Sequence, residues 1–212
     1  MRSYPTQRLS NRSDWMVMPK YSLVYPLVGL FLAAPLASVR AERVRLGGTV
    51  SVLPLGQAHV EGEGLSESED TATAVGIGGI VEVQLLTNLA IGFAPRLLLN
   101  VKGEDGTESG KELDLALRVI GNVPVGRMVQ LYGFAAPGYS IIYIPDWPDE
   151  LSNPAGFIFG FGGGVGFDLN PRFRLAVELG YQLGAQRVTE QGETVDLEIS
   201  YLHLGVSALA RL

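Results

Sequence analysis

From residue 157 to residue 184 the chain alternates between bulky apolar residues and small or polar ones. Phe157, Phe159, Phe161, Val165, Phe167 and Leu169 hold odd positions; the even positions between them are mostly glycine, with Ile158 and Asp168. Beyond a turn at 170–172, Phe173, Leu175, Val177, Leu179, Tyr181 and Leu183 alternate with Arg174, Ala176, Glu178, Gly180, Gln182 and Gly184. Successive strand side chains point to opposite faces, so a period of two gives each segment one apolar face and one polar or tiny face. A helix, with its longer period, would scatter the same residues around its whole circumference. These two segments are strands.

Six further segments follow the same template, at about 43–57, 72–86, 89–102, 112–123, 128–142 and 194–211. In the last, Val195, Leu197, Ile199 and Tyr201 give way to Leu202, Leu204, Val206, Ala208, Ala210 and Leu212. That change of phase predicts a β-bulge near Ser200 and Leu202, or an upper part lying outside the apolar zone. The connections alternate in length. Long polar ones cover 61–71, 103–111, 144–156 and 186–193, while tight turns rich in turn formers lie at 87–88, 124–127 and 170–172. Eight strands with long loops at one end and short turns at the other predict an all-β fold, an eight-stranded antiparallel up-and-down transmembrane β-barrel. Each segment exceeds the roughly 9–11 residues that a tilted strand needs to cross a bilayer.

A soluble up-and-down barrel would carry the same alternation with its apolar face inward and a dense polar exterior. Here the second face holds Gly160, Gly162, Gly164 and Gly166 on one strand and isolated charges on the others. Small residues and single charges suit the narrow interior of an eight-stranded barrel, where eight rows of bulky side chains would collide. The bulky rows are therefore predicted to face hydrocarbon, where a closed barrel leaves no unpaired strand edge.

Composition removes the other classes. The 212 residues are 47% hydrophobic and 18% charged, too apolar for a disordered chain. The absence of cysteine excludes a disulfide scaffold, thiolate metal sites and a lipid-modified N-terminal cysteine. A formal charge of −6 opposes nucleic-acid binding. That figure divides unevenly: of 16 basic and 22 acidic residues, five and one fall in the first 41. Arg2, Arg8, Arg12 and Lys20 precede an uncharged run from Tyr21 to Ala37, and Val39 and Ala41 supply small residues after it. These are the parts of a secretory signal peptide, with cleavage expected after Ala41 and a mature domain from 42 to 212. Residues 1–17 read as an upstream extension of the start. A retained anchor is the alternative, and Pro26 and Pro35 within the run count against it.

In this arrangement the chain resembles the eight-stranded outer-membrane barrels of the OmpA and OmpX type, over residues 43–212. The resemblance rests on architecture. It implies residence in the outer membrane of a Gram-negative bacterium, with both termini of the barrel on the periplasmic side. It implies contact with outer-membrane lipid and with the barrel-assembly machinery, a monomeric state, and no cofactor. Two departures stand out. No peptidoglycan-binding domain follows the barrel, and the chain ends in Leu212 where that family usually ends in Phe or Trp.

Strand parity assigns Arg45, Glu82, Arg96, Glu112, Asp114, Arg118, Arg174, Glu178 and Arg211 to the interior. Isolated charges there are costly, so they are expected to pair across the barrel as an ion-paired plug. A narrow channel lined by the same charges is the alternative. An enzyme centred on His203 is a further one, since lipid A deacylases use a small barrel with a Ser-His-acid set. His203 and Ser207 share a face but lie about 13 Å apart at strand rise, beyond direct proton transfer. Two histidines without cysteine point to no transition-metal site. We therefore expect no catalytic residues and no metal. The glycines from Gly160 to Gly166 lie within a strand with no following helix, so they are not a nucleotide-binding loop.

The long loops are acidic. Glu61, Glu63, Glu67, Glu69 and Asp70 fall in the first; Glu104, Asp105 and Glu108 in the second; Asp146, Asp149 and Glu150 in the third; Glu190 and Glu193 in the fourth. Trp147, with Tyr139 and Tyr143, fits an interfacial aromatic girdle. The sequence thus predicts a structural, adhesive or partner-binding role through acidic surface loops, with an extracellular partner of unspecified kind.

Overall fold

A computed structural model of the chain describes residues 44–62, 65–102, 109–143, 153–190 and 193–212. The leader with Ala41, the second and third acidic loops with Trp147, and Glu63 lie outside the described residues. Nine strands run in chain order: β1 (Val44–Gly62), β2 (Leu65–Asp70), β3 (Ala74–Leu86), β4 (Leu89–Val101), β5 (Gly110–Pro124), β6 (Val129–Tyr143), β7 (Ala155–Asn170), β8 (Phe173–Glu190) and β9 (Glu193–Arg211). All neighbours are antiparallel, and β1 pairs with β9 to close the sheet on itself. Both β2 and β3 pair with β1, one above the other, so together they form a single stave and the barrel has eight.

Parity survives intact on most staves. Val50, Ile77, Phe93, Val119, Leu131, Phe161, Val177 and Val206, one from each stave, are between 41% and 55% exposed on the outside. Arg118, Arg174 and Glu178 are buried inside. This is the inverse of a soluble barrel. A continuous apolar belt of this extent has no place in water, whereas every backbone group of a closed sheet is paired for the lipid interior.

Three expectations are corrected. The strands reach further than periodicity indicated: residues 65–70 of the first loop pair with β1, and the fourth loop shrinks to a tight connection between Glu190 and Glu193. The β8–β9–β1–β2 side of the barrel therefore stands taller than the rest. The bulge is not in β9. Register shifts in β1, between Val52 and Leu55, where two residues stand against one of β9. Leu53 and Pro54 occupy the gap, and β9 keeps its phase throughout, with Ile199, Tyr201, His203, Ser207 and Leu209 all buried. Finally, Arg211 is exposed at the turn end instead of lying inside, because the lumen ends at Leu209 and Arg211 sits opposite Arg45 at the rim.

Candidate functional site

The lumen is built in layers. At the turn end Arg174 donates from two nitrogens to the two oxygens of Asp168, at 2.7 and 3.0 Å. Such a fork-on-fork pair fixes both side chains in one plane. Arg45 and Glu82 approach less closely, at 3.9 Å, and Arg45 also donates to Gln84. Above them Glu178 is the hub. Arg118 donates to it at 2.8 Å, the Tyr132 hydroxyl donates at 3.1 Å, and His203 Nε2 lies 3.4 Å from its other oxygen. The Arg118 guanidinium also rests 4.1 Å above the Phe134 ring, a cation–π contact strengthened by exclusion from water.

In the next layer Arg96 donates to Asp114 Oδ2 at 2.7 Å, Gln182 donates to the same oxygen at 3.2 Å, and Arg96 reaches Gln182 as well. Higher still, Gln186 donates to Glu112 at 3.4 Å and to the Ser140 hydroxyl. Above and around this layer the lumen becomes apolar. Leu53, Ala74, Leu98, Ile142, Ile199 and Tyr201 form a buried cluster, with Ala58, Val101 and Leu197 packed against it. Leu53 keeps the inward phase of Arg45 and Ser51, and the bulge that follows it is what turns Ala58 toward this cap.

Inward glycines make room for these side chains. A Cβ on Gly164 would stand 2.7 Å from the Tyr132 ring and hydroxyl, and one on Gly180 would collide with the His203 imidazole. The residual cavity in the turn-end half measures about 10 Å³ and is lined by Glu82, Arg118, Tyr132, Arg174, Glu178 and Ser207, among others. That is the space of a single water.

Of the nine residues assigned to the interior, the structure brings seven into ion pairs: Arg45 with Glu82, Arg96 with Asp114, Arg118 with Glu178, and Arg174 with Asp168. Glu112 is buried with no salt bridge among the described residues. Parity had the information to add Asp168, a charge at the inward phase of β7 next to the turn, and also Gln182, Gln186, Ser140 and Tyr132, which share the inward phase of their strands but, being uncharged, carry no electrostatic flag. Pairing across the barrel needs the three-dimensional register, which no single strand records.

His203 is held by Glu178 and lies against Phe134, with ring centroids 6.1 Å apart. The Ser140 hydroxyl is engaged by Gln186. At the loop end, Glu61, Glu67, Glu69 and Asp70 are exposed on the β1–β2 hairpin, and Gln57 donates to Asp70 at 3.4 Å. Asp196 and Glu198 add two exposed carboxylates on the adjoining β9, directly opposite Glu61 and His59. Arg187 pairs with Asp196 at 2.8 Å in full view of solvent. His59 sits half-buried in strand β1.

Residues 24–208 match the family described as outer membrane protein beta-barrel domain. Among solved structures, Neisserial surface protein A aligns over 79% of this chain and 97% of its own, at 12% identity and a TM-score of 0.50. OprG from Pseudomonas aeruginosa aligns over 79% and 94%, at 12% identity and a TM-score of 0.54. At such identities the likeness concerns the fold. No curated protein matches the sequence.

Proposed function

Because the chain belongs to the outer membrane protein beta-barrel family, we propose that it works as a closed, monomeric barrel whose activity resides at its loop end. The observation that carries this reading is the lumen among the described residues, ion-paired below and apolar above, with a residual cavity of about 10 Å³ in its turn-end half. A tube in that state offers solutes no path, so transport is the weaker reading. The lumen fixes the barrel, the outer face holds it in lipid, and the tall side of the wall carries the function. Glu61, Glu67, Glu69, Asp70, Asp196 and Glu198 make that side acidic, which suits a structural or adhesive contact with a basic partner outside the cell. No catalytic residue, metal or cofactor enters this role, and His203 serves as a structural partner of Glu178.

The test is adhesion of cells displaying the protein to a surface coated with a basic polypeptide. Replacing Glu61, Glu67 and Glu69 by Gln and Asp70 by Asn should reduce retention strongly while the barrel still shows a heat-dependent gel shift in the outer-membrane fraction. Equal retention with and without these carboxylates would remove the adhesive reading.

A further inference from the structure

We propose that the turn-end rim from β8 to β1 binds the phosphate of one anionic phospholipid, of the phosphatidylglycerol class, at Arg172 and Arg211. Register puts three arginines in one row across adjacent strands. Arg211 of β9 stands opposite Arg45 of β1 on one side. On the other side its backbone N–H donates to the carbonyl of Arg172, at 2.7 Å, where the chain enters β8. Like charges directly opposite each other in a sheet are destabilising, so the row calls for an anion.

The described residues do not supply one. Glu82 lies 3.9 Å from Arg45, and Asp168 is clasped by Arg174. Arg172 and Arg211 are exposed. Among the described residues neither pairs with a side-chain or terminal carboxylate. The turns at this end, 86–89, 124–128 and 169–173, contain no acidic residue. The β1–β2 hairpin at the loop end is rich in carboxylates, so the two ends of the wall present opposite charge.

What lies beside the row identifies the partner as lipid. Phe173 and Leu212, the immediate chain neighbours of the two arginines, are 53% and 60% exposed and carry the lipid-facing belt to the rim. The guanidiniums thus start within one residue of hydrocarbon, and arginine stems reach from there to the level of headgroup phosphates. Cross-strand neighbours lie about 5 Å apart, a spacing at which two guanidinium forks share the oxygens of one phosphate. A zwitterionic headgroup would bring its ammonium into the same row, which selects an anionic one.

The probe is phosphatidylglycerol. The full chain is refolded into neutral-detergent micelles doped with equal amounts of phosphatidylglycerol and phosphatidylcholine, and the lipid retained by the intact protein is counted by native mass spectrometry. One phosphatidylglycerol should be retained, roughly tenfold more often than phosphatidylcholine, since each arginine near a lipid surface favours the anionic headgroup several-fold. Arg172→Gln with Arg211→Gln should bring the two lipids to equal retention while the barrel keeps its heat-dependent gel shift. Arg127→Gln, at the β5–β6 turn across the barrel, should keep the preference.

Equal retention by the wild type would overturn the proposal, as would a preference that survives the double substitution. A preference abolished by inorganic phosphate at fixed ionic strength would assign the row to a soluble phosphate and overturn the lipid assignment. If the double variant fails to refold, the wild-type comparison of the two lipids, with each single substitution, decides the matter. Adhesion plays no part in this readout, so the two proposals stand or fall separately.

Discussion

The turn-end lumen and the loop-end cap close the same tube by different physics. Below, Glu178 collects Arg118, Tyr132 and His203, and Arg174 grips Asp168. Above, Leu53, Leu98, Ile142, Ile199 and Tyr201 simply exclude water. A buried ion pair gains little over an apolar filling because desolvation consumes most of its Coulomb energy, but losing one partner is expensive. An apolar cap is indifferent to partner identity and sensitive to volume. The ionic region therefore fixes which side chain faces which, and the cap supplies closure without that constraint.

Removal of the hub should separate the two regions most clearly. Glu178→Ala strands Arg118 and His203 in the lumen and should cost about 3–5 kcal/mol, read as a lowered urea midpoint of the refolded barrel. In the cap, Leu98→Ala deletes apolar volume and should cost about 2–4 kcal/mol by the same assay. A comparable loss that came instead from the outer face would blur the contrast. Val177→Arg tests this by placing a charge toward lipid, with an expected cost of about 2–4 kcal/mol if it lies near the bilayer midplane.

Replacing the hub pair outright, Arg118→Met with Glu178→Leu, should come out near neutral, since no charge is left unpaired. A double variant as unstable as Glu178→Ala would show that the ionic layer contributes net stability and would erase the distinction drawn here. Smallest of all, Arg187→Gln breaks an exposed pair with Asp196 and should leave the midpoint unchanged within error.

The same contrast explains what could be read from the sequence. Between 157 and 184 the inward positions are glycine or polar apart from Ile158 and Ala176, so bulky apolar character mostly reports lipid and the strands announce themselves. In β9 the cap requires Ile199 and Tyr201 to point inward, and apolar character no longer tells lumen from lipid. The phase slip inferred at Ser200 and Leu202 was this change of surroundings, while the true bulge sits in β1 beside Pro54.

Strand β2 escaped notice for a related reason. LSESED has no apolar face because it stands beyond the hydrocarbon, and its pairing with β1 is visible only in register. The charged members of the lumen were legible by parity. Their partners were not, and Arg211 failed because parity says nothing about where a lumen ends.

The most direct test of a sealed lumen is electrical. Purified, refolded protein is added to a planar lipid bilayer and steady current is recorded under applied voltage. The filled layers predict current at the level of the bare membrane, with no stable steps. Persistent unitary channels well above leak would show that the ionic layers and the cap leave a continuous aqueous path, and would contradict the account.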